Sequence, residues 1–248
     1  MRAKILFETL KPQAIEINYN YYLTAIIYSL LAESNINFSS MLHSEGYRVE
    51  NKKFKLFCFS KLFPYKFTVN GDKLTVYDKM EWYVSSPVVD FIYHFADGIL
   101  RKEKINIGSS EFYVSSVEIL PPPDFIEEME FRSLSPITTH TVEIQNGKKK
   151  TISCAPANPK FSENIKNNLL RKYFLLYGKL PEDTSIEFTV DEKYLNDRGK
   201  LIAYKDTLIK GYLVPFTLKC EPKLMQVAYD CGIGEKNSGG FGFIEVRR

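Results

Sequence analysis

The sequence has few of the residues that hold metals or disulfides. Its 248 residues include only four cysteines and three histidines, and the two closest cysteines, Cys220 and Cys231, lie 11 positions apart. Because no C-x-x-C pair occurs, this spacing argues against a zinc ribbon or a disulfide scaffold. We therefore expect four reduced, buried thiols.

Long apolar segments are also missing. No run approaches the roughly 18 to 20 apolar residues that cross a bilayer. The opening residues Met1–Glu8 begin with a charge but lack the long apolar stretch of a signal peptide. The sequence therefore predicts a cytoplasmic protein with no membrane contact.

The charge balance by itself does not identify a partner. The chain carries 33 Lys and Arg residues against 30 Asp and Glu residues, a formal net charge of +3. This small excess neither requires nor excludes nucleic acid, so the distribution of charge matters more than the sum. A hydrophobic content of 44% is enough to bury a core, which excludes a disordered chain.

Apolar periodicity and turn residues predict the element order β-α-β-β-α-β twice. The predicted elements of the first half are strand 3–10, helix 23–31, short helix 38–43, strand 54–59, hairpin 67–77, strand 81–86, helix 87–99 and strands within 105–120. Those of the second half are strand 135–145, helix 161–177, strand 185–190, strand 210–219, a helix from 222 and strand 241–246. Between the halves stands Pro121–Pro123, a stiff linker. We therefore predict an α+β protein of two tandem ferredoxin-like domains, residues 1–120 and 125–248.

Three local signals predict how elements begin or turn. Asn18 or Asn20 is a candidate N-cap of the first helix. The dipeptide Asn70-Gly71 tolerates the positive φ of a two-residue hairpin turn. Gly178 is placed to end the long helix of the second half.

A glycine-rich segment follows the last predicted helix. Residues 232–242 read Gly-Ile-Gly-Glu-Lys-Asn-Ser-Gly-Gly-Phe-Gly, a backbone that can approach a partner closely and whose amides can cradle phosphates. The dinucleotide-binding fingerprint needs a strand, then glycines, then a helix, and here the order is reversed. No phosphate-loop signature occurs. A tight connection without further function is the alternative interpretation.

A basic segment lies next to one of the histidines. Residues 46–61 carry five Lys and Arg residues against one glutamate, interleaved with phenylalanines, and His43 precedes them at the end of a short predicted helix. Such a segment suits contact with an RNA backbone, whereas a strand with a solvated basic face is the alternative. His94 is interpreted as a surface or partly buried residue of a helix, and His140 as a structural residue.

The C-terminal segment resembles the signature loop of the RAMP superfamily of CRISPR-associated proteins. More narrowly, it is similar to that of the endoribonucleases that cut the repeats of precursor CRISPR RNA. Weaker similarity in 19–28, 210–216 and 220–224 extends the resemblance over nearly the whole chain. The resemblance implies two ferredoxin-like domains, in agreement with the element order.

The resemblance also implies a mechanism and its residues. His43 matches the catalytic histidine, Tyr28 the tyrosine, and Lys55 best matches the lysine, with Lys52 and Lys53 as rivals. The expected reaction is attack by an RNA 2′-hydroxyl on its own neighbouring phosphate, leaving a 2′,3′-cyclic phosphate and a 5′-hydroxyl. Such a reaction requires no metal or other cofactor, and the sequence offers no carboxylate cluster typical of a two-metal site.

The expected partner is CRISPR repeat RNA within precursor crRNA. The candidate RNA-binding residues are Lys52, Lys53, Gly234, Lys236, Asn237, Ser238 and Gly240. Docking onto a CRISPR effector complex and a homodimer are both left open. One alternative is a catalytically inactive RNA-binding subunit of an effector complex, and a second is a ferredoxin-like protein of unrelated function.

Overall fold

The computed structural model describes residues 1–145 and 147–247. The chain divides into two compact units, one formed by Met1–Pro122 with Ser238–Gly240 and the other by Pro123–Asn237 with Phe241–Arg248. Within the described residues, no helix is long and apolar enough to span a membrane.

The first unit contains a mixed set of strands and helices. In chain order they are β1 (Arg2–Glu8), β2 (Gln13–Glu16), α1 (Asn20–Ser34), α2 (Ile36–Ser44), β3 (Tyr47–Val49), β4 (Lys52–Phe54), β5 (Cys58–Phe59), β6 (Phe63–Pro64), β7 (Phe67–Asn70), β8 (Lys73–Val76), β9 (Lys79–Ser85), α3 (Val89–Leu100), β10 (Lys104–Ile107) and β11 (Ser110–Leu120). The main antiparallel sheet has the order β10-β11-β1-β9-β5, and β6 also pairs with β9. The sub-order β11-β1-β9-β5 is that of a ferredoxin-like domain, which confirms the predicted fold class.

The core of this unit lies between the sheet and helices α1 and α3. Alternate residues of β1 are fully buried, as the two-residue period of a strand requires. Trp82 on β9 packs edge-to-face on Phe59 and Phe95 with ring centroids about 6 Å apart, 5.8 and 6.0 Å respectively. A Cβ atom at Gly98 of α3 would lie 2.1 Å from the Leu30 carbonyl oxygen of α1, so the glycine permits close packing of the two helices.

The second unit repeats the architecture. Its elements are β12 (Glu128–Ser133), β13 (His140–Gln145), β14 (Lys148–Ser153), α4 (Pro159–Tyr177), β15 (Glu187–Val190), β16 (Lys200–Tyr204), β17 (Thr207–Gly211), β18 (Pro215–Lys219), α5 (Pro222–Cys231) and β19 (Ile244–Val246). The main sheet has the order β15-β18-β12-β19, again ferredoxin-like. The pairs β13–β14 and β16–β17 form separate hairpins.

Several predicted strands differ from the observed ones. Strand β12 was not predicted because its charged residues obscure the apolar pattern, and only Phe131 is fully buried. The predicted strand 54–59 is interrupted at Leu56, whose φ is +53°. The predicted strand 210–219 is interrupted between Gly211 and Pro215 and belongs to two sheets.

Two of the three local signals require correction. The hairpin turn consists of Gly71 and Asp72, one residue later than predicted, because Asn70 pairs with Lys73; Gly71 has the expected positive φ of +60°. Asn18 and Asn20 do not cap α1, which begins without a side-chain cap. Gly178 ends α4 in the left-handed conformation, as predicted.

Candidate active site

His43 lies in the last turn of α2, where its side chain is exposed. The helix is set by Asn35, whose side-chain oxygen accepts a hydrogen bond of 3.0 Å from the Phe38 amide. The Ser39 hydroxyl donates to the Tyr28 carbonyl of α1 at 3.0 Å. These two bonds fix α2 at its start and tie it to α1.

Tyr28 and His43 form an aromatic pair. Their ring centroids are 5.0 Å apart with an interplanar angle of 82°, an edge-to-face contact. The Tyr28 ring also meets Phe57 edge-to-face at 6.0 Å. Phe57 is fully buried, so the half-buried tyrosine is supported by the core and presents its other side to the histidine.

A short hairpin returns the chain to the end of α2. Strands β3 and β4 pair so that Val49 opposes Lys52, with Glu50 in the turn at a positive φ of +53°. Lys55 follows directly, and its ammonium donates to the carbonyls of Leu42 and His43, the latter at 2.6 Å. The lysine predicted from the sequence therefore lies beside the predicted histidine, although 12 positions separate them.

The end of α2 collects positive charge. Lys53 donates to the Ser44 carbonyl at 3.3 Å, and cations are favoured at the negative end of a helix dipole. Partial burial, reinforced by the charges of Lys53 and Arg48, lowers the pKa of Lys55. Both rival lysines are exposed on the hairpin, and of the two Lys53 contacts the end of α2. A cationic cluster with a histidine attracts an anionic ligand such as a phosphate.

The glycine-rich segment is organised by a buried cation. Lys172 of α4 is only 2% exposed and donates to the carbonyls of Gly232 and Gly234 at 2.8 and 3.3 Å and to the Asn237 side-chain oxygen at 2.7 Å. The Asn237 amide donates to the carbonyls of Ile233 and Phe241, both at 2.9 Å. The three hydrogen bonds of the Asn237 side chain thus hold the segment together.

The remaining candidates in this segment differ in exposure. Gly234 and Gly240 are buried, and a Cβ at Gly240 would lie 2.5 Å from the Phe59 ring, so both are needed for close packing. Lys236 is exposed with a φ of +56°, an uncommon backbone conformation for a lysine. Ser238 is half-buried. Of these four, Lys236 presents an exposed side chain.

Within the first unit, the tip of the segment contacts α1. The Asn20 amide donates to the carbonyls of Gly239 and Gly240 at 2.9 and 3.3 Å, and the Thr24 hydroxyl donates to the Ser238 carbonyl at 3.2 Å. Thr24 and Tyr28 share a helix face because they are four residues apart. The tip therefore lies one helical turn from Tyr28.

Both halves of the chain match models of one protein family. Residues 14–118 match the model described as CRISPR-associated protein Cas6, N-terminal, and residues 120–246 match CRISPR associated protein Cas6, C-terminal. The chain belongs to the Cas6 family of CRISPR-associated proteins. The predicted family is thereby confirmed.

Two relatives and one solved structure illustrate how far the similarity to Cas6 proteins extends. The CRISPR-associated endoribonuclease Cas6 1 of Methanocaldococcus jannaschii is 34% identical over 98% of this chain and 92% of its own. The CRISPR-associated endoribonuclease Cas6 of Pyrococcus furiosus is 29% identical over 95% of this chain and 86% of its own. A structure described as CRISPR associated protein Cas6 is 32% identical, covers 100% and 99% of the two chains, and gives a TM-score of 0.83.

Sequence reasoning missed two residues that shape the site of this Cas6 chain. In the sequence, Lys172 is one of several polar residues on an amphipathic helix, and the helical spacing does not predict that it is buried. Asn20 reads as a helix cap, whereas it is the first residue of α1 and bonds 219 positions away. For Asn20, the one sequence signal of a buried contact was a polar amide side chain next to the apolar positions of a helix. Among the described residues, no group of three His, Cys, Asp or Glu side chains is placed to hold a metal ion.

Gly46 is expected to control the position of Lys55. Its φ is +61°, and an added Cβ would lie 2.6 Å from the Phe54 carbonyl oxygen and 3.1 Å from Cδ of Lys55. We expect Gly46→Ala to slow RNA cleavage by about tenfold to 100-fold, since displacement of an active-site group by about 1 Å has effects of this size. The measurement is the single-turnover rate with enzyme in excess.

Gly71 provides the matched control for this substitution. It has nearly the same φ, +60°, but an added Cβ would meet nothing within 4 Å. Gly71→Ala therefore introduces the same backbone strain, about 1 to 2 kcal/mol, without the steric conflict. Equal cleavage rates for the two variants would show that Gly46 does not act through Lys55.

Proposed function

We propose that the protein is a metal-independent endoribonuclease that cleaves within CRISPR repeats of precursor crRNA. The single observation that carries the proposal is the cluster of Tyr28, His43 and Lys55 at the end of α2, with the aromatic pair 5.0 Å apart and the ammonium 2.6 Å from the His43 carbonyl. The names of the curated relatives, CRISPR-associated endoribonucleases, supply the substrate class and the reaction class.

The proposed reaction needs two proton transfers and no external nucleophile. The 2′-oxygen attacks the adjacent phosphorus as its proton passes to a base, and the bond from phosphorus to the 5′-oxygen breaks as that oxygen takes up a proton. The products are a 2′,3′-cyclic phosphate and a 5′-hydroxyl. Histidine serves as either acid or base near neutral pH, so His43 takes one transfer and Tyr28 assists in the other.

Lys55 is assigned to the charge that develops on phosphorus. A lysine ammonium is a compact point charge that suits a nonbridging phosphate oxygen. In the free protein this ammonium is held by backbone carbonyls of α2, so it is already positioned before RNA arrives. Arg48 and Lys53 add long-range attraction for the backbone of the RNA.

The RNA backbone is proposed to bind at two groups of residues. They are Lys52 and Lys53 of the β3–β4 hairpin and, in the glycine-rich segment, Gly234, Lys236, Asn237, Ser238 and Gly240. Because neutralised phosphates release counterions, affinity for repeat RNA is expected to fall steeply as salt concentration rises. An affinity that does not change between low and high salt would contradict this assignment.

The test of the proposed function is cleavage of a repeat RNA from the same genome in EDTA. End-group mapping is expected to find one cut with a 2′,3′-cyclic phosphate and a 5′-hydroxyl. A cut that needs added divalent metal, or one that leaves a 3′-hydroxyl, would overturn the mechanism.

The same experiment separates the enzyme from an RNA-binding subunit. Tight binding of repeat RNA without any cleavage would favour the inactive subunit of an effector complex. Docking onto an effector complex and homodimer formation stay predictions, and size-exclusion chromatography with light scattering, with and without RNA, tests the second of them.

A further inference from the structure

The hairpin formed by β13 and β14 of the second unit stands apart from the sheet of that unit. Its strands pair only with each other, from His140 opposite Ser153 to Gln145 opposite Lys148. Val142 and Ile144 are 59% and 75% exposed, so this face covers no core. A two-stranded ribbon exposed in this way gains little stability by itself, which points to a role in binding.

We call this hairpin, residues 140–153, the arm. The end of the arm near its turn carries a run of positive charge. Lys148, Lys149 and Lys150 are consecutive and all exposed. Because side chains alternate along a strand, Lys148 and Lys150 extend from one face and Lys149 from the other. The only acidic residue of the arm is Glu143, opposite Lys150. The arm therefore presents cations on both of its faces.

The base of the arm is joined to the glycine-rich segment. Nδ1 of His140 lies 2.8 Å from Oε2 of Glu235, and the Glu235 amide donates to the Thr138 carbonyl at 2.8 Å. The Asn164 amide of α4 donates to the His140 carbonyl at 2.9 Å. The exposed Lys236 follows Glu235 directly, so the segment and the arm belong to one continuous surface of the second unit.

We propose that the arm is a second RNA-binding element, which holds phosphates of the RNA beyond those bound at the glycine-rich segment. This inference rests on the proposed function, because it extends the same RNA along the surface that begins at Lys236. The chemistry of the arm favours a backbone over bases, since lysine ammonium groups act as point charges toward phosphates and phosphate contacts carry no sequence information.

The experiment compares salt-dependent binding of the full chain with and without the three charges. The probe is repeat RNA carrying a 2′-deoxy nucleotide at the mapped cut site, which binds but cannot be cut. For K148Q/K149Q/K150Q we expect about tenfold weaker binding or more, and a salt slope smaller by about 2, since each phosphate contact on a single strand contributes about 0.7. Fluorescence anisotropy from 50 to 300 mM salt, about the range over which such contacts are screened, measures both quantities.

Two further variants make the result decisive. K148R/K149R/K150R keeps the charge and is expected to bind like the wild type. K160Q/K166Q/K179Q removes the same charge from two positions of α4 and from the second residue after its end, in the same unit, and is expected to keep the wild-type slope. Equal losses for the two glutamine triples would overturn the proposal, because the effect would then be one of net charge.

The result for the wild type distinguishes failure of the proposal for the arm from failure of the proposed function. Wild type that binds and cuts the RNA, together with an unchanged K148Q/K149Q/K150Q variant, overturns the arm alone. Wild type that neither binds nor cuts repeat RNA overturns the proposed function and the arm with it. A circular-dichroism melt of each variant identifies any loss that comes from unfolding.

Discussion

Substitution of His43 by alanine is expected to lower the single-turnover rate of repeat cleavage by about 10²- to 10⁴-fold, the range typical for loss of a general acid or base. RNA affinity should change little, because the ring is exposed and the neighbouring cations remain. The rate is measured with enzyme in excess over RNA, so that the chemical step is observed rather than binding.

His94 provides the matched control for this prediction. It lies in the same unit on α3 and hydrogen-bonds to Ser34 at 2.9 Å. His94→Gln is expected to cleave at close to the wild-type rate. If His43→Ala cuts as fast as His94→Gln, then His43 takes no part in the proton transfers and another group must be sought beside Tyr28.

Substitution of Lys172 by methionine is expected to lower the free energy of unfolding by about 3 kcal/mol or more. Methionine has a similar length but no donor, so two buried acceptors and one half-buried acceptor lose the Lys172 ammonium, and the loss of a partner at a buried acceptor costs about 1 to 3 kcal/mol. Because these acceptors belong to Gly232, Gly234 and Asn237, repeat RNA should also bind more weakly. Urea unfolding and anisotropy measure the two effects.

Lys166 on the same helix serves as the comparison for Lys172. Its side chain is half-buried, and Lys166→Met is expected to change the free energy of unfolding by less than about 0.5 kcal/mol. If the two methionine variants unfold at the same urea concentration, the buried ammonium does not hold the glycine-rich segment.

The fold could be predicted because its main elements follow simple periodicities. Helices α3 and α4 have apolar residues at helical spacing and clear ends, and Gly178 supplies the left-handed residue that stops α4. Strand β12 could not be predicted, because in a strand of alternating charges the burial of Phe131 depends on neighbours distant in sequence. The periodicity of a segment predicts which face of its helix or strand is apolar. It does not predict which distant strands pair with it in a sheet.

The candidate site could be predicted only in part, and from family resemblance instead of periodicity. Tyr28, His43 and Lys55 were named by resemblance, and the structure brings the three together through the Gly46–Lys55 return of the chain. Lys172 and Asn20 were missed because each bonds to backbone carbonyls of the glycine-rich segment. Every residue has a backbone carbonyl, so the sequence does not show which carbonyl accepts a distant side chain. The functions assigned to all of these side chains stay predictions until the variants are measured.

The Asn20 contact has a consequence for how the chain folds during synthesis. The amide of its buried side chain bonds to carbonyls 219 and 220 positions later, so this polar group of α1 lacks these partners until Gly239 and Gly240 have been synthesised. Contacts of such long range slow folding because they close a large loop. The last step in forming the first unit is therefore expected to follow the synthesis of Ser238–Gly240.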